Sequence, residues 1–173
     1  MKTRLIAFAL SVVSVLAMAG TASAQSVKGE KSVGLRGGFT TCHDAPVAGL
    51  YFQYRFSRHF RLSPQIDYYF RHHDTDAFAF NINADVPFAI GSSGKFNLYP
   101  LAGVSLTSWN FHHRSTGEEA DDATSRKLRA GVNVGGGAEY YVTPTLKLAL
   151  EGRYNWVKHY DGGVFTLSIG YMF

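Results

Sequence analysis

Apolar side chains recur at every second position in eight successive stretches of the chain. The stretches run over residues 33–39, 50–56, 62–70, 78–88, 96–106, 128–140, 146–156 and 165–173. The alternate positions hold aliphatic or aromatic residues, glycine or proline, and none of them carries a charge. A repeat of two residues is typical of a β-strand whose two faces meet different surroundings. The pattern therefore predicts eight strands, each with one continuous apolar face.

The opposite face of these strands is polar, with amides, glycine and serine around a few charges of both signs. Its charged candidates are Arg36, Arg55, Asp67, Asp85, Glu139, Lys147, Glu151 and Arg153. A sheet surface in water usually carries abundant lysine and glutamate, whereas this composition suits a narrow polar interior. Four cations and four anions predict ion pairs within that interior, because unpaired charges in a confined space are costly. The alternative is a water-soluble calyx or sandwich with the apolar face inside.

The connections between the stretches alternate in length. Short ones span residues 57–59, 91–95 and 143–145, and the longer set spans 40–46, 71–76, 112–127 and 159–163. Short turns on one side and longer loops on the other are typical of outer-membrane barrels, and about ten residues per strand suffice to span a bilayer. We predict an all-β fold, an eight-stranded antiparallel up-and-down transmembrane β-barrel. Pro64, Pro87 and Pro100 lack the N–H that a ladder needs, so we expect them near the periplasmic rim, at bulges.

The N-terminus has the pattern of an export signal. Residues 1–4 include Lys2 and Arg4, residues 5–18 are almost wholly apolar, and Ala22-Ser23-Ala24 has the small-x-small pattern of a cleavage site. These are the three parts of a secretory signal peptide. We expect a signal peptide over residues 1–24 and one barrel domain over residues 25–173.

The chain ends on a strand whose alternate residues are all apolar or aromatic. They are Phe165, Leu167, Ile169, Tyr171 and Phe173. With the signal peptide and the eight alternating stretches, this ending resembles the small outer-membrane β-barrel family of OmpA/OmpX type, a porin-like barrel domain. The resemblance implies the outer membrane of a Gram-negative cell, contact with its lipid and lipopolysaccharide, and a terminal strand read by the barrel assembly machinery. It also implies a monomer that serves envelope integrity or surface adhesion through extracellular loops.

Histidines gather at the predicted extracellular loops, beside several acidic residues. The six are His43, His72, His73, His112, His113 and His159. Imidazole and carboxylate groups on converging loops suit zinc, copper or haem, or a pH sensor. Their spacing matches no ligand motif, so a solvated polar rim is the alternative.

Other functions make specific demands on the sequence. A lipid A-modifying barrel enzyme needs a serine–histidine pair near the outer leaflet, for which Ser108 with His112 or Ser115 with His113 are candidates. A small diffusion channel needs an open lumen, whereas eight strands leave room for little beyond side chains. The single cysteine excludes a disulfide within the chain, and a net charge of +4 without a basic cluster does not indicate nucleic-acid binding. We expect no enzymatic activity and no cofactor.

Aromatic residues are expected in two belts at the membrane surfaces. The periplasmic candidates are Phe56, Phe60, Phe88, Phe96, Tyr140 and Phe173, and the outer candidates are Phe39, Phe70, Phe78, Trp109, Phe111, Trp156 and Tyr160.

Overall fold

A computed structural model describes residues 28–42, 44–57, 59–72, 75–91, 93–112, 124–157 and 161–173. The expected signal peptide lies outside these residues. The strands are β1 (Lys31–Thr40), β2 (Ala45–Ser57), β3 (Phe60–His72), β4 (Thr75–Asp85), β5 (Phe88–Ile90), β6 (Phe96–His112), β7 (Thr124–Tyr141), β8 (Leu146–Val157) and β9 (Gly162–Met172). No helix among the described residues is long and apolar enough to cross a membrane.

The strands form one antiparallel sheet that closes on itself. Their order is β4-β3-β2-β1-β9-β8-β7-β6-β5, and β4 also pairs with β6. The short β5 continues the line of β4, since Asp85 pairs with Leu101 of β6 and Phe88 pairs with Leu98 of the same strand. The nine segments therefore make eight barrel strands, with the fourth interrupted at Val86 and Pro87. This closed eight-stranded barrel confirms the predicted fold class.

Side chains alternate between the two sides of the barrel wall as predicted. Leu150 of β8 is 61% exposed, whereas its neighbour Glu151 is 7% exposed. The same contrast holds between Val132 at 48% and Asn133 at 0%. The apolar face therefore points outward and the polar face points inward, which excludes the soluble calyx with an apolar interior.

Strands β6 and β7 form a long hairpin whose β7 side, residues 124–130, continues past the described part of β8, while β4 pairs with its β6 side as far as Phe111. At the end opposite the termini, β1 and β2 stop at the pair Thr40 and Ala45. On β7, Gly131 pairs with Val157, the last described residue of β8, and seven further strand residues precede it. We call residues 106–112 and 124–130 the projecting hairpin. The predicted 112–127 loop is too long, because residues 124–127 belong to β7 and His112 still belongs to β6.

The prolines coincide with breaks in two ladders. Pro87 lies in the gap between β4 and β5. Around Pro64 the β2–β3 register gives Tyr51 opposite Gln65 and Tyr54 opposite Leu62, with no pairs between them. A missing proline N–H accounts for such a break. Pro100 stays within β6, and its carbonyl accepts a hydrogen bond from the Val86 N–H at 3.2 Å.

Candidate functional site: the barrel interior and the outer rim

A dense ionic group fills the end of the interior near the termini. Arg61 donates to Glu139 at 2.7 Å and to Asp85 at 2.6 Å. The Arg55 and Lys147 nitrogens lie 3.8 Å from the same Glu139 carboxylate. We call these five residues the Glu139 cluster. Each of the five comes from a different strand and points inward. The Glu139 carboxylate therefore lies close to three cations, those of Arg55, Arg61 and Lys147.

Neutral groups complete the hydrogen bonding of the Glu139 cluster. The Asn97 amide and the Tyr141 hydroxyl each donate to Glu139 Oε1 at 3.1 Å. Tyr141 also accepts a hydrogen bond from Arg55 at 3.1 Å. Buried charge is tolerated when it is both paired and hydrogen-bonded, and Glu139 meets both conditions.

A second ionic group lies further along the barrel axis. Arg153 contacts both Asp67 and Glu151, the latter at 3.2 Å. Arg36 contacts the same two acids, Glu151 at 2.9 Å and Asp67 at 3.4 Å. We call these four residues the Arg153 cluster. Two guanidinium groups and two carboxylates alternate around it, so it carries no net charge.

A layer of amides adjoins the Arg153 cluster. Asn133 donates to Asn81 at 3.1 Å and to Asn83 at 2.9 Å. Asn81 in turn donates to Asp67 at 3.0 Å, and Asn83 donates to Gln65 at 3.1 Å. Hydrogen-bonded chains of this kind rigidify an interior and hold each side chain in one rotamer.

An apolar cap closes the interior at the end opposite the termini. Its buried members are Val47, Tyr69, Ala77, Ala79, Trp109 and Val164. The rings of Tyr69 and Trp109 stack with centroids 6.1 Å apart. Trp109 is only 4% exposed, so its predicted place in the outer aromatic belt is wrong. It faces inward because it occupies an odd-numbered position of β6, where every buried residue of that strand lies.

Large interior side chains leave little free volume. Tyr51 and Tyr99 are 5% and 3% exposed, and each lies against a glycine of a neighbouring part of the wall, Gly170 and Gly137 respectively. The cavity beside Arg36 and Tyr51 measures about 10 Å³, about enough for one water molecule. The described part of the interior is therefore packed with side chains. Its carboxylates are engaged by guanidinium and amide groups.

The structure places all eight charged candidates inside the barrel and brings them together in the two clusters. Sequence reasoning missed Arg61, although it shares the odd-numbered face of β3 with Gln65 and Asp67. It also missed the inward-facing tyrosines. The alternation of inward and outward positions pointed to both. Arg61, for example, lies two residues before Ser63 on the same inward face of β3.

The histidines are placed only in part. His72 and His112 are the last residues of β3 and β6, and the other four loop candidates, His43, His73, His113 and His159, lie outside the described residues. Within the described ranges no three His, Cys, Asp or Glu residues are grouped to hold a metal ion. Metal or haem binding by the histidines stays a prediction.

The two candidate serine–histidine pairs differ in whether the structure describes them. Ser108 and His112 lie four residues apart on β6, which separates their Cα atoms by about 13 Å at the rise of an extended strand. Ser115 and His113 lie outside the described residues.

Cys42 follows β1 at the outer rim and packs against the apolar cap. Burial, helped by the nearby Asp161 carboxylate, raises the pKa of the Cys42 thiol to about 11. The thiol therefore stays protonated near neutral pH, in its unreactive form.

A closed barrel with an apolar exterior and an ionic interior is the architecture of a membrane-spanning barrel. The comparison with protein families shows to which family of such barrels the chain belongs. The family described as "Outer membrane protein beta-barrel domain" matches residues 5–173. The chain belongs to this family. The protein lies in the cell outer membrane, and its outward apolar band meets membrane lipid. No curated protein matches the chain.

Solved structures of other outer-membrane barrels share the fold. The N-terminal barrel domain of Pseudomonas aeruginosa OprF matches with a TM-score of 0.66 and 17% identity, over 84% of this chain and 98% of that one. Neisserial surface protein A matches at 0.64 and 18%, over 83% and 95%. Ail, the attachment invasion locus protein of Yersinia pestis, matches at 0.60 and 17%, over 85% and 100%. At these identities the likeness establishes the fold alone.

Outer-membrane barrels have short turns on the periplasmic side and longer loops outside. The first described residues, the end of β9 and the short turns lie at one end here, since the Lys31 N–H bonds to the Phe173 carbonyl. By that rule we assign this end to the periplasmic side and the projecting hairpin to the extracellular side.

Proposed function

We propose that this protein is a non-enzymatic surface protein, whose filled barrel is a rigid scaffold and whose projecting hairpin binds extracellular partners. The observation that carries the proposal is the length of β6 and β7, which hold 17 and 18 residues against 10 in β1. Binding functions commonly sit on protruding segments held by a rigid scaffold.

The packed interior supports a scaffold role over a channel role. The Glu139 cluster, the Arg153 cluster and the apolar cap follow one another along the axis, so a solute would have to displace all three. Separating buried ion pairs is strongly unfavourable. The interior thus gives the barrel rigidity, and the surface outside the membrane is left to provide function.

The β7 side of the projecting hairpin favours an anionic partner, whereas the segment that joins it to β6 contains Glu118, Glu119, Asp121 and Asp122. Residues 124–130 contain Arg126, Lys127 and Arg129 and no acidic residue. Lys127 is exposed, and the neighbouring Leu128 is 63% exposed. Ail has been solved in complex with the heparin analogue sucrose octasulfate, so a barrel of this fold can bind a sulfated sugar. We therefore propose adhesion to sulfated or otherwise anionic surfaces.

Charge reversal on the hairpin tests this function. Cells displaying the Lys127→Glu/Arg129→Glu variant should bind severalfold less to heparin-coated beads and to host cells than cells displaying the natural protein. Lys31→Glu, an exposed reversal at the periplasmic end, is the matched control and should bind normally. Equal binding by the hairpin variant would contradict the proposal.

Envelope integrity is the alternative role for such a barrel. A deletion strain distinguishes envelope integrity from adhesion. A deletion strain should lose adhesion while keeping its resistance to detergent. If it instead becomes detergent-sensitive, and both the natural protein and the hairpin variant restore resistance, the barrel serves the envelope and the adhesion proposal fails.

We further propose that the protein is a monomer surrounded by lipid and lipopolysaccharide, and that the barrel assembly machinery recognises its last strand. The outward side chains of β9 include Phe165, Leu167, Ile169 and Tyr171, followed by Phe173. Removal of Phe173 should lower the amount of folded protein in the outer membrane, measured as heat-modifiable bands on a gel.

A further inference from the structure

A shallow apolar groove interrupts the outward wall of the barrel where β1 to β4 lie side by side. It has a volume of about 200 Å³. Outward side chains that line it are Val33, Leu50, Phe52, Pro64, Ile66 and Phe80. All six are apolar, and the buried Tyr51 and Gln65 complete the lining, so the groove offers a ligand no charge to bind.

The groove lies where the β2–β3 ladder is broken. Between the pairs Tyr51–Gln65 and Tyr54–Leu62 the register has no partners, and Pro64 falls in this interval. Pro64 has no N–H to donate to β2, and the register is the same on both sides of this interval, so the two strands stay adjacent. The groove lies over this fixed position of the sequence and is part of the fold.

The depth of the groove determines what can reach it. Leu50 and Phe52 lie in the middle of β2, which runs from Ala45 to Ser57. Val33 and Leu50 on its border are 47% and 53% exposed, and they continue into the apolar band that meets lipid. Water gains no hydrogen bonds in such a recess, and an empty recess would leave its lining atoms without contacts.

We propose that this groove holds one acyl chain of a membrane phospholipid more firmly than the rest of the barrel wall does. A flexible hydrocarbon chain fits a narrow recess and buries apolar surface on both sides. A second barrel would approach with a convex wall and would leave the recess unfilled. The bound chain fills the recess around Pro64, so the groove is a specific lipid site on the lipid-facing wall of the barrel.

Native mass spectrometry of the detergent-purified protein, titrated with palmitoyl-oleoyl phosphatidylethanolamine, tests the site. The natural protein should bind one lipid ahead of any others. Val33→Phe fills the groove and should bind that lipid about tenfold more weakly. Val134→Phe is the matched control, because Val134 points outward from β7 with 45% exposure and lies outside the groove. It should bind like the natural protein.

Heat-modifiable migration shows whether each variant has folded, and Leu50→Phe fills the same groove from β2 if Val33→Phe does not fold. Equal lipid affinity in the natural protein, the groove variants and the control would overturn the proposal. So would the absence of any preferred first lipid, or a dimer that the groove variants lose, since the latter would make a second copy the occupant.

Discussion

Glu139 is the acid whose removal should most disturb the barrel interior. We consider Glu139→Gln, which keeps the shape of the side chain and a carbonyl oxygen that accepts from Asn97 and Tyr141. The variant removes one negative charge from among three cations, whose nitrogens lie at 2.7 Å for Arg61 and 3.8 Å for both Arg55 and Lys147.

The size of the effect depends on two opposing changes in free energy. A pair of unit charges 4 Å apart gains about 4 kcal/mol at an effective dielectric constant of 20, so the attraction lost from three such contacts is large. The variant also avoids the cost of burying the Glu139 charge, which is several kcal/mol and offsets part of that loss. Breaking one partner out of a buried ionic group usually costs about 3–5 kcal/mol, and we expect a loss of unfolding free energy in that range.

Equilibrium unfolding by urea, with the barrel reconstituted in lipid vesicles, measures this loss. Lys147→Gln supplies the complementary change, because it removes one of the three cations. The double variant has the same net charge in the cluster as the natural protein, so the loss should be smaller than the sum of the two single losses by about 0.5–3 kcal/mol. A Glu139→Gln barrel within about 0.5 kcal/mol of the natural protein would refute the reasoning that this carboxylate holds the cluster together.

Three further predictions concern the wall and the lumen. Leu150→Arg, in the middle of β8, should lower stability by about 2–4 kcal/mol in vesicles, whereas Leu128→Arg on the projecting hairpin should cost at most about 1 kcal/mol. Similar losses in the two variants would mean that Leu150 and Leu128 lie at the same membrane depth, which would contradict the prediction. Gly170→Ala should lower stability by about 1–3 kcal/mol, because its added Cβ overlaps the Tyr51 hydroxyl, and Tyr51→Phe should restore much of the loss in the same urea assay. Planar-bilayer recordings of the natural protein should show no steady open level, and a stable conductance would contradict the filled lumen.

The alternation of side chains was sufficient to predict the barrel and the face that meets lipid. It placed Arg36 and Glu151 inside because both sit between apolar neighbours. It failed where residue type was weighed above position, since Trp109 was assigned to an aromatic belt although its odd-numbered position on β6 points inward. Arg61 was missed because the third stretch was counted from Leu62.

Two features depend on information that the alternation does not carry. Beyond Leu106 the outward positions of β6 become polar, with Ser108 and Asn110, although Ser108 still pairs with the outward Phe78 of β4. The apolar signal therefore ends although the strand continues, which hid the projecting hairpin. The contact of Tyr51 with Gly170 depends on the packing of strands far apart in the sequence, which periodicity within one strand cannot reveal.

The central claim is that the apolar side of each strand meets lipid and the charged side faces the axis. A nitroxide scan along β8 tests it most directly, with single cysteines introduced one by one from Leu146 to Val157 in a Cys42→Ser background and the protein held in lipid vesicles. Accessibility to oxygen should alternate with a period of two, high at Leu148, Leu150 and Tyr154 and low at Glu151 and Arg153. High oxygen accessibility at Glu151 and Arg153 with low values at Leu150 would contradict it.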